Sequence, residues 1–173
     1  GDVEADNAVS TVSPMHLRGL ADLPKPYDEQ LSRIRFQGTV CCLFGFDRPL
    51  TEDIYWLNIK DDKSPFTLLV EHTNLFDRPE YGSHIVYCAE YIQNPDDPKW
   101  NRSPEEIQEK YLDHLERIAP VKRENLVWKR IAMTKESSPI YSMGYLSNLP
   151  THKTPVSGLY TAGMMHSFPE RSI

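Results

Sequence analysis

Four apolar segments joined by short connections constrain the fold of this chain more than any other feature. They cover residues 34–46, 54–60, 66–73 and 84–92, and each has the alternating or continuously apolar character of a β-strand. A crossover between parallel strands needs a dozen or more residues, usually including a helix, and these connections are shorter. The four segments are therefore predicted to form an antiparallel meander.

One helix is indicated by a complete start signal. In Ser103-Pro104-Glu105-Glu106, the serine can cap the helix, the proline suits the first turn and Glu106 completes a capping box. The apolar stripe of this helix consists of Ile107, Tyr111, Leu115 and Ile118. Weaker patterns predict helices at 14–22 and 27–33, and further strands at 6–12, 125–134, 139–145 and 158–163.

These elements predict an α+β fold, with a mixed, largely antiparallel sheet and helices on one side. The segments 6–12 and 158–163 are exceptions, because each is a strand that leads toward the start of a helix. Strand-to-helix units of this kind are typical of a parallel α/β domain. We expect both to be strand ends of an α/β domain whose remainder is not in this chain.

Composition excludes several partners. The 173 residues allow one sizeable domain, and a net charge of −6 without a basic cluster argues against nucleic acid. No segment is apolar for long enough to span a membrane, and no secretion signal opens the sequence. We expect a soluble, cytoplasmic protein in which Cys41, Cys42 and Cys88 are buried thiols, and we expect no metal because the histidines lack ligand spacing.

Four stretches carry a resemblance to a known family. ADNAVSTVSP (residues 5–14), RPLTEDIYWLNI (48–59), LLVEHTN (68–74) and GLYTAGMMHSFPERSI (158–173) resemble parts of the FAD-dependent amine oxidoreductases of the protoporphyrinogen oxidase and phytoene desaturase type. In that family a substrate domain is inserted into a flavin domain. The resemblance implies that 1–14 is an edge strand of the FAD-binding domain, that 15–157 is the substrate-binding domain, and that 158–173 is the returning strand with the start of a helix.

The resemblance also implies FAD as the cofactor of the full-length protein. The residues that it places near the flavin are Thr11, Pro14, Gly163, Met164, Pro169, Glu170 and Arg171. Met164 stands where the family usually has an acidic residue, and no G-x-G-x-x-G loop occurs among the 8 glycines, so this chain is expected to bind FAD weakly or not at all. His166 lies in the same segment, where a solvent-facing loop histidine is the alternative.

Candidate substrate-binding residues come from the polar end of one strand. Glu71, His72 and Asn74 follow the apolar run 66–70. By alternation, His72 and Asn74 share the face of Phe66, and Glu71 lies on the other face. The alternative is a strand that merely ends in a polar turn.

Three aromatic residues complete this candidate set. Trp56 alternates with apolar neighbours in the pattern of a sheet that is buried on both sides, so a core position is favoured over a substrate platform. Tyr87 and Tyr91 share one strand face with Ile85 and Ala89, and either cross-strand packing or an aromatic wall would use them.

The resemblance therefore implies the substrate-binding portion of an FAD-dependent oxidoreductase, inactive as an isolated chain and without an assigned catalytic residue. Its partners would be the missing FAD-binding domain of the same polypeptide and a small-molecule substrate. A dimer of the isolated chain, formed through the face that would otherwise pack on the flavin domain, is a further expected partner state. The alternative is a cofactor-free module that binds a small carbohydrate-like ligand.

Overall fold

The computed structural model describes residues 1–76 and 79–169, and its contacts divide the chain into two compact units. The first unit contains residues 1–37 and the described residues from 136 onward, and the second unit is Gly38–Lys135. The strands are β1 (Ala8–Ser10), β2 (Phe36–Phe46), β3 (Trp56–Asn58), β4 (Leu68–Glu71), β5 (His84–Ile92), β6 (Leu126–Pro139) and β7 (Leu159–Thr161). The helices are α1 (Pro14–Leu20), α2 (Lys25–Ser32), α3 (Pro104–Ile118) and α4 (Tyr145–Asn148).

Five strands form one sheet in the order β3-β4-β5-β2-β6. The β3–β4 and β4–β5 pairs are antiparallel, as predicted, and β2 and β5 form a third antiparallel pair. The simple meander was wrong, because β2 pairs with β5 rather than with β3. Strand β2 has 11 residues, of which the last 9 pair with all 9 residues of β5, from Gly38 opposite Ile92 to Phe46 opposite His84. Strand β3 has only 3 residues with which to form a ladder.

The core of the second unit lies between one face of this sheet and α3. Alternate residues of β2, among them Val40, Cys42 and Phe44, are fully buried there against α3. Of the predicted apolar stripe of the helix, Ile107, Tyr111 and Leu115 lie in this core, whereas Ile118 is exposed. Tyr111 of α3 packs on Phe66 with ring centroids 5.1 Å apart. The start of α3 was predicted correctly, since Ser103 and Glu106 form the expected capping box.

The first unit contains the two segments that did not fit the antiparallel sheet. Strands β1 and β7 are parallel, with Ala8 opposite Leu159. Just before β7, Gly158 has φ +77°, and a β-carbon there would lie 2.6 Å from the Asp6 main-chain oxygen, so both the conformation and the space require glycine. Helices α1 and α2 pack together through Leu17, Tyr27 and Leu31.

Two predicted strands differ from the structure. The predicted strand 139–145 was wrong: β6 ends at Pro139, Gly144 has φ +74°, and α4 follows it. The predicted strand 66–73 ends at Glu71, after which His72–Asn74 form a turn of 3-10 helix. The predicted sharing of a face by His72 and Asn74 therefore does not apply.

The domain limits predicted at residues 14 and 158 enclose a longer segment than the Gly38–Lys135 unit. Within the described ranges, no helix has the length and apolar character needed to cross a membrane.

Candidate functional site

The face of the five-stranded sheet opposite α3 carries an apolar floor bordered by aromatic side chains. Leu68, Val70 and Ala89 form the floor and are at most 7% exposed. Trp56 is 52% exposed, Tyr91 is 46% exposed and Tyr87 is partly buried. We call these six residues the aromatic face. The predicted core position of Trp56 was wrong, because β3 is an exposed edge strand.

Strand register places these side chains in rows across the sheet. Trp56 lies opposite Val70, and Val70 lies opposite Tyr87. In the neighbouring row, Leu68 lies opposite Ala89. Directly paired residues on one face have β-carbons about 4.5–5.5 Å apart, so each row is continuous and Trp56 and Tyr87 lie on either side of Val70.

His72 extends the aromatic face through ring contacts. Its imidazole is 5.7 Å from the Tyr87 ring and 5.6 Å from the Tyr81 ring, and its Nε2 lies 3.3 Å from the Tyr81 hydroxyl oxygen. The structure thus places His72 beside Tyr87, one member of the candidate set, although His72 lies in the 3-10 turn rather than in a strand. Substrate binding by His72 stays a prediction.

Glu71 and Asn74 hold the loop that precedes β3. The Glu71 side chain is fully buried, and its carboxylate accepts hydrogen bonds from the main-chain N–H groups of Leu50 (2.9 Å) and Thr51 (2.8 Å) and from the Thr51 hydroxyl (2.8 Å). The Asn74 amide donates to the main-chain oxygen of Ile54 at 3.0 Å. These contacts fix the loop that leads into Trp56, and substrate binding by Glu71 and Asn74 stays a prediction.

The predicted flavin-side residues come together in the first unit. Thr11, Pro14, Gly163 and Met164 line one cavity of about 140 Å3. The remaining lining residues are Val12, Ser13, Phe36, Glu136, Ser137 and Met165. Pro169 does not line it, and the predicted Glu170 and Arg171 lie outside the described residues.

Backbone proximity explains the position of Gly163 beside Thr11. The Ala162 N–H donates to the Ser10 oxygen at 2.9 Å, and a β-carbon on Gly163 would lie 3.3 Å from the Thr11 main-chain oxygen. Glycine therefore lets the segment after β7 run closely alongside the segment after β1.

Glu136 was missed by sequence reasoning, yet it organises the rim of this cavity. Its carboxylate accepts a hydrogen bond from the Ser13 hydroxyl and lies 3.3 Å from Nδ1 of His16. Ser13 also caps α1, because its hydroxyl accepts the His16 N–H. No local motif marks Glu136, since its partners are more than 100 residues away.

His166 follows the cavity residues in the 3-10 turn Met164–His166. Its ring stacks on His152 with centroids 4.1 Å apart, and its Nε2 lies 3.2 Å from the Pro150 oxygen. Its Nδ1 is buried and has no hydrogen-bond partner among the residues that the structure describes. Burial, with a smaller effect of His152, lowers the pKa of His166.

The cavity does not fit a whole FAD. Its volume is well below the roughly 300–1,000 Å3 of typical small-molecule sites. The lining residues include no Lys or Arg to bind a pyrophosphate. The described residues of this unit therefore offer one wall of a flavin site at most.

The structure also brings together two cysteines that are far apart in sequence. Cys42 of β2 lies opposite Cys88 of β5, and both are fully buried. Burial raises the pKa of Cys42 to about 12 and that of Cys88 well above its usual value. Both are therefore protonated and unreactive near neutral pH.

Comparisons with solved structures agree on the fold. An oxidoreductase from Methanosarcina mazei is 22% identical with a TM-score of 0.67, and the match covers 94% of this chain and 38% of that chain. A candidate protoporphyrinogen oxidase from Exiguobacterium sp. 255-15 is 19% identical with a TM-score of 0.62, covering 93% of this chain and 36% of that one. Cyclohexylamine oxidase from Brevibacterium oxydans is 14% identical with a TM-score of 0.54, covering 91% and 36%.

The chain thus spans little more than a third of the length of these structures. No curated protein sequence matches it. The profile of the family described as flavin containing amine oxidoreductase matches residues 1–173, which is the whole of the sequence. The chain therefore belongs to the flavin-containing amine oxidoreductases.

Proposed function

We propose that this chain is the substrate-binding portion of an FAD-dependent oxidoreductase, and that the aromatic face is its substrate surface. The observation that carries the proposal is the continuous row of Trp56, Val70 and Tyr87 across one sheet face. Partly exposed aromatic rings around an apolar floor form a surface suited to an apolar or ring-bearing substrate group. A flavin supplies the redox chemistry, so the protein's task is to hold the substrate in place and exclude water.

The flavin-binding domain of the same polypeptide is the partner that this proposal requires. The family profile matches the whole of this sequence, yet the sequence covers little more than a third of each solved structure. Both observations support a further domain in the same polypeptide. The residues Thr11, Pro14, Gly163 and Met164 would then lie beside the cofactor, in the cavity of the first unit.

The first test is the visible absorption spectrum of the gene product that contains this chain, purified without added cofactor. Flavin bands that an added amine or other reduced substrate bleaches under anaerobic conditions are expected. A colourless, folded protein would refute the flavoenzyme proposal and favour the cofactor-free binding module.

The second test addresses the aromatic face in the same protein. Trp56→Ala removes an exposed ring from the row and is expected to raise KM about tenfold with a smaller change in kcat, because substrate contact is lost while the flavin is unchanged. Leu57→Ala is the matched control, since Leu57 is the next residue on the same exposed strand but points to the other face. Equal effects of the two substitutions would refute the assignment of this face.

A further inference from the structure

A polar cleft lies at one edge of the five-stranded sheet, within the second unit. Its volume is about 380 Å3, inside the range of roughly 300–1,000 Å3 that is typical of small-molecule sites. It is lined by residues of the loop between β3 and β4, by Glu90 and Tyr91 of β5, and by Lys99.

The cleft exists because β4 begins too late to cover the end of β5. The β4–β5 pairing starts at Leu68 opposite Ala89, whereas β5 continues to Ile92. The loop before β4 contains Pro65, which has no N–H to donate to a ladder. Glu90 and Tyr91 are consecutive and point to opposite faces of the sheet, but at a strand edge without a neighbouring strand both side chains can line the same cleft.

The floor of the cleft is a buried carboxylate that is held in place by several partners. Glu90 is 6% exposed, and its Oε2 accepts hydrogen bonds from Arg102 at 2.8 Å and from the Tyr111 hydroxyl at 3.4 Å. Its Oε1 pairs with the Lys99 ammonium. The Lys99 side chain is 49% exposed and has two further N–H donors. A functional group that is preorganised by its neighbours in this way is what a binding site requires.

The charges around the cleft cancel. Lys60, Asp61 and Asp62 lie on its rim, and Lys99 and Arg102 face Glu90. Three cations and three carboxylates favour a ligand that is uncharged but forms many hydrogen bonds. The Tyr91 ring, which is 46% exposed, offers a flat apolar surface beside these groups.

We propose that this cleft binds a polyhydroxylated ligand, a sugar or a sugar-bearing molecule. The apolar face of its ring would pack on Tyr91, and its hydroxyls would bond to Asp62 and Lys99. Only Tyr91 is shared with the aromatic face. The proposal does not rest on the flavoenzyme function, because every group that it uses lies in the second unit and binding needs no cofactor.

The test is a 15N NMR titration of the 173-residue chain. Methyl β-D-glucoside and methyl β-D-galactoside are the probes, and cyclohexanol is the control ligand because its ring is of similar size but carries one hydroxyl. We expect at least one glycoside to shift the amide signals of residues 59–67 and Tyr91, with a Kd on the order of 1 mM. Cyclohexanol is expected to leave these signals unchanged.

Matched variants locate the binding. Asp62→Asn removes a charged acceptor from the rim and is expected to weaken binding about tenfold. Glu105→Gln makes the same chemical change at an exposed position in the first turn of α3, outside the cleft, and is expected to bind as the parent does. Tyr91→Leu, which removes the ring, is expected to abolish measurable binding.

Three results would overturn the proposal. These are no shift with either glycoside, equal shifts with cyclohexanol, and equal affinity of the parent and Asp62→Asn. A dispersed spectrum of each variant establishes that it is folded, and Lys60→Gln replaces any variant that is not. Because no flavin is needed, the outcome is separate from the visible spectrum that tests the proposed function.

Discussion

At the scale of single residues, the Glu71 carboxylate shows how one buried charge can organise a loop. It is fully buried with three hydrogen bonds, all to Leu50 and Thr51. Hydrogen bonds to a charged group contribute about 1.5–3 kcal/mol each, and leaving a buried donor unpaired costs a similar amount. The position of the loop before Trp56 therefore depends on this side chain.

Glu71→Gln is expected to lower the free energy of unfolding by about 2 kcal/mol, because an amide NH2 cannot accept the hydrogen bonds that one carboxylate oxygen accepts. Urea unfolding followed by circular dichroism measures the change. Glu52→Gln is the control, since Glu52 is an exposed residue of the same loop. A loss below about 0.5 kcal/mol for Glu71→Gln would contradict this role.

The buried cysteines allow a second prediction. With a pKa of about 12, roughly one Cys42 side chain in 10,000 is a thiolate at pH 8. Iodoacetamide should therefore label Cys42 and Cys88 at least about 100-fold more slowly in the native protein than in urea. Peptide mass spectrometry measures each rate. Cys41, which is partly exposed, should react faster than both, and labelling of Cys42 at the rate of Cys41 would contradict the prediction.

Some residue roles could be predicted from the sequence and others could not. Tyr87 and Tyr91 share a face, as their spacing predicts, because both lie within one regular strand. The alternation of side chains along a strand does not apply to His72 and Asn74, because the backbone forms a 3-10 helix after Glu71. Glu136 and the Cys42–Cys88 pair depend on partners far along the chain, and no local pattern indicates such partners.

At the scale of elements, α3 is the part of the fold that local sequence determines best. The Ser103 hydroxyl accepts the Glu106 N–H at 3.1 Å, and the Glu106 carboxylate accepts the Ser103 N–H at 3.0 Å. All the information for this start lies within four residues, so it was predictable. The pairing of β2 with β5 was not, because it depends on the relative lengths of strands that are distant in sequence.

Ser103→Ala should therefore lower the free energy of unfolding of the second unit by about 1 kcal/mol, through loss of the cap. The urea midpoint of the helical signal is the measurement. Ser147→Ala serves as the control, because Ser147 is an exposed residue of α4 in the other unit. Equal midpoints for Ser103→Ala and the parent protein would show that packing of α3 alone sets its stability.

At the scale of the whole molecule, each unit contains a histidine whose pKa is lowered chiefly by burial, His114 in the second and His166 in the first. In the unfolded chain both would have a pKa near 6.5. As the pH falls through that value, the unfolded state takes up protons before the folded state does. The stability that these two histidines contribute is therefore fully present above about pH 7 and is lost as the pH falls toward their lower folded pKa values.

We expect the urea midpoint to be lower at pH 5.5 than at pH 7.5, in the same salt. His114→Gln and His166→Gln should each reduce this difference, and the double variant should reduce it further, because each removes one site of proton uptake. A midpoint that is the same at both pH values in the parent protein would contradict the prediction.

The close approach of Gly38 and Thr134 has a consequence for evolution. A β-carbon on Gly38 would lie only 2.7 Å from the Thr134 main-chain oxygen, so the two ends of Gly38–Lys135 lie side by side in the neighbouring strands β2 and β6. A segment whose two ends lie side by side can be inserted into a host polypeptide at a single position without stretching the host backbone. Recombination at these two positions would exchange the whole second unit, with its aromatic face and its polar cleft, in one genetic step.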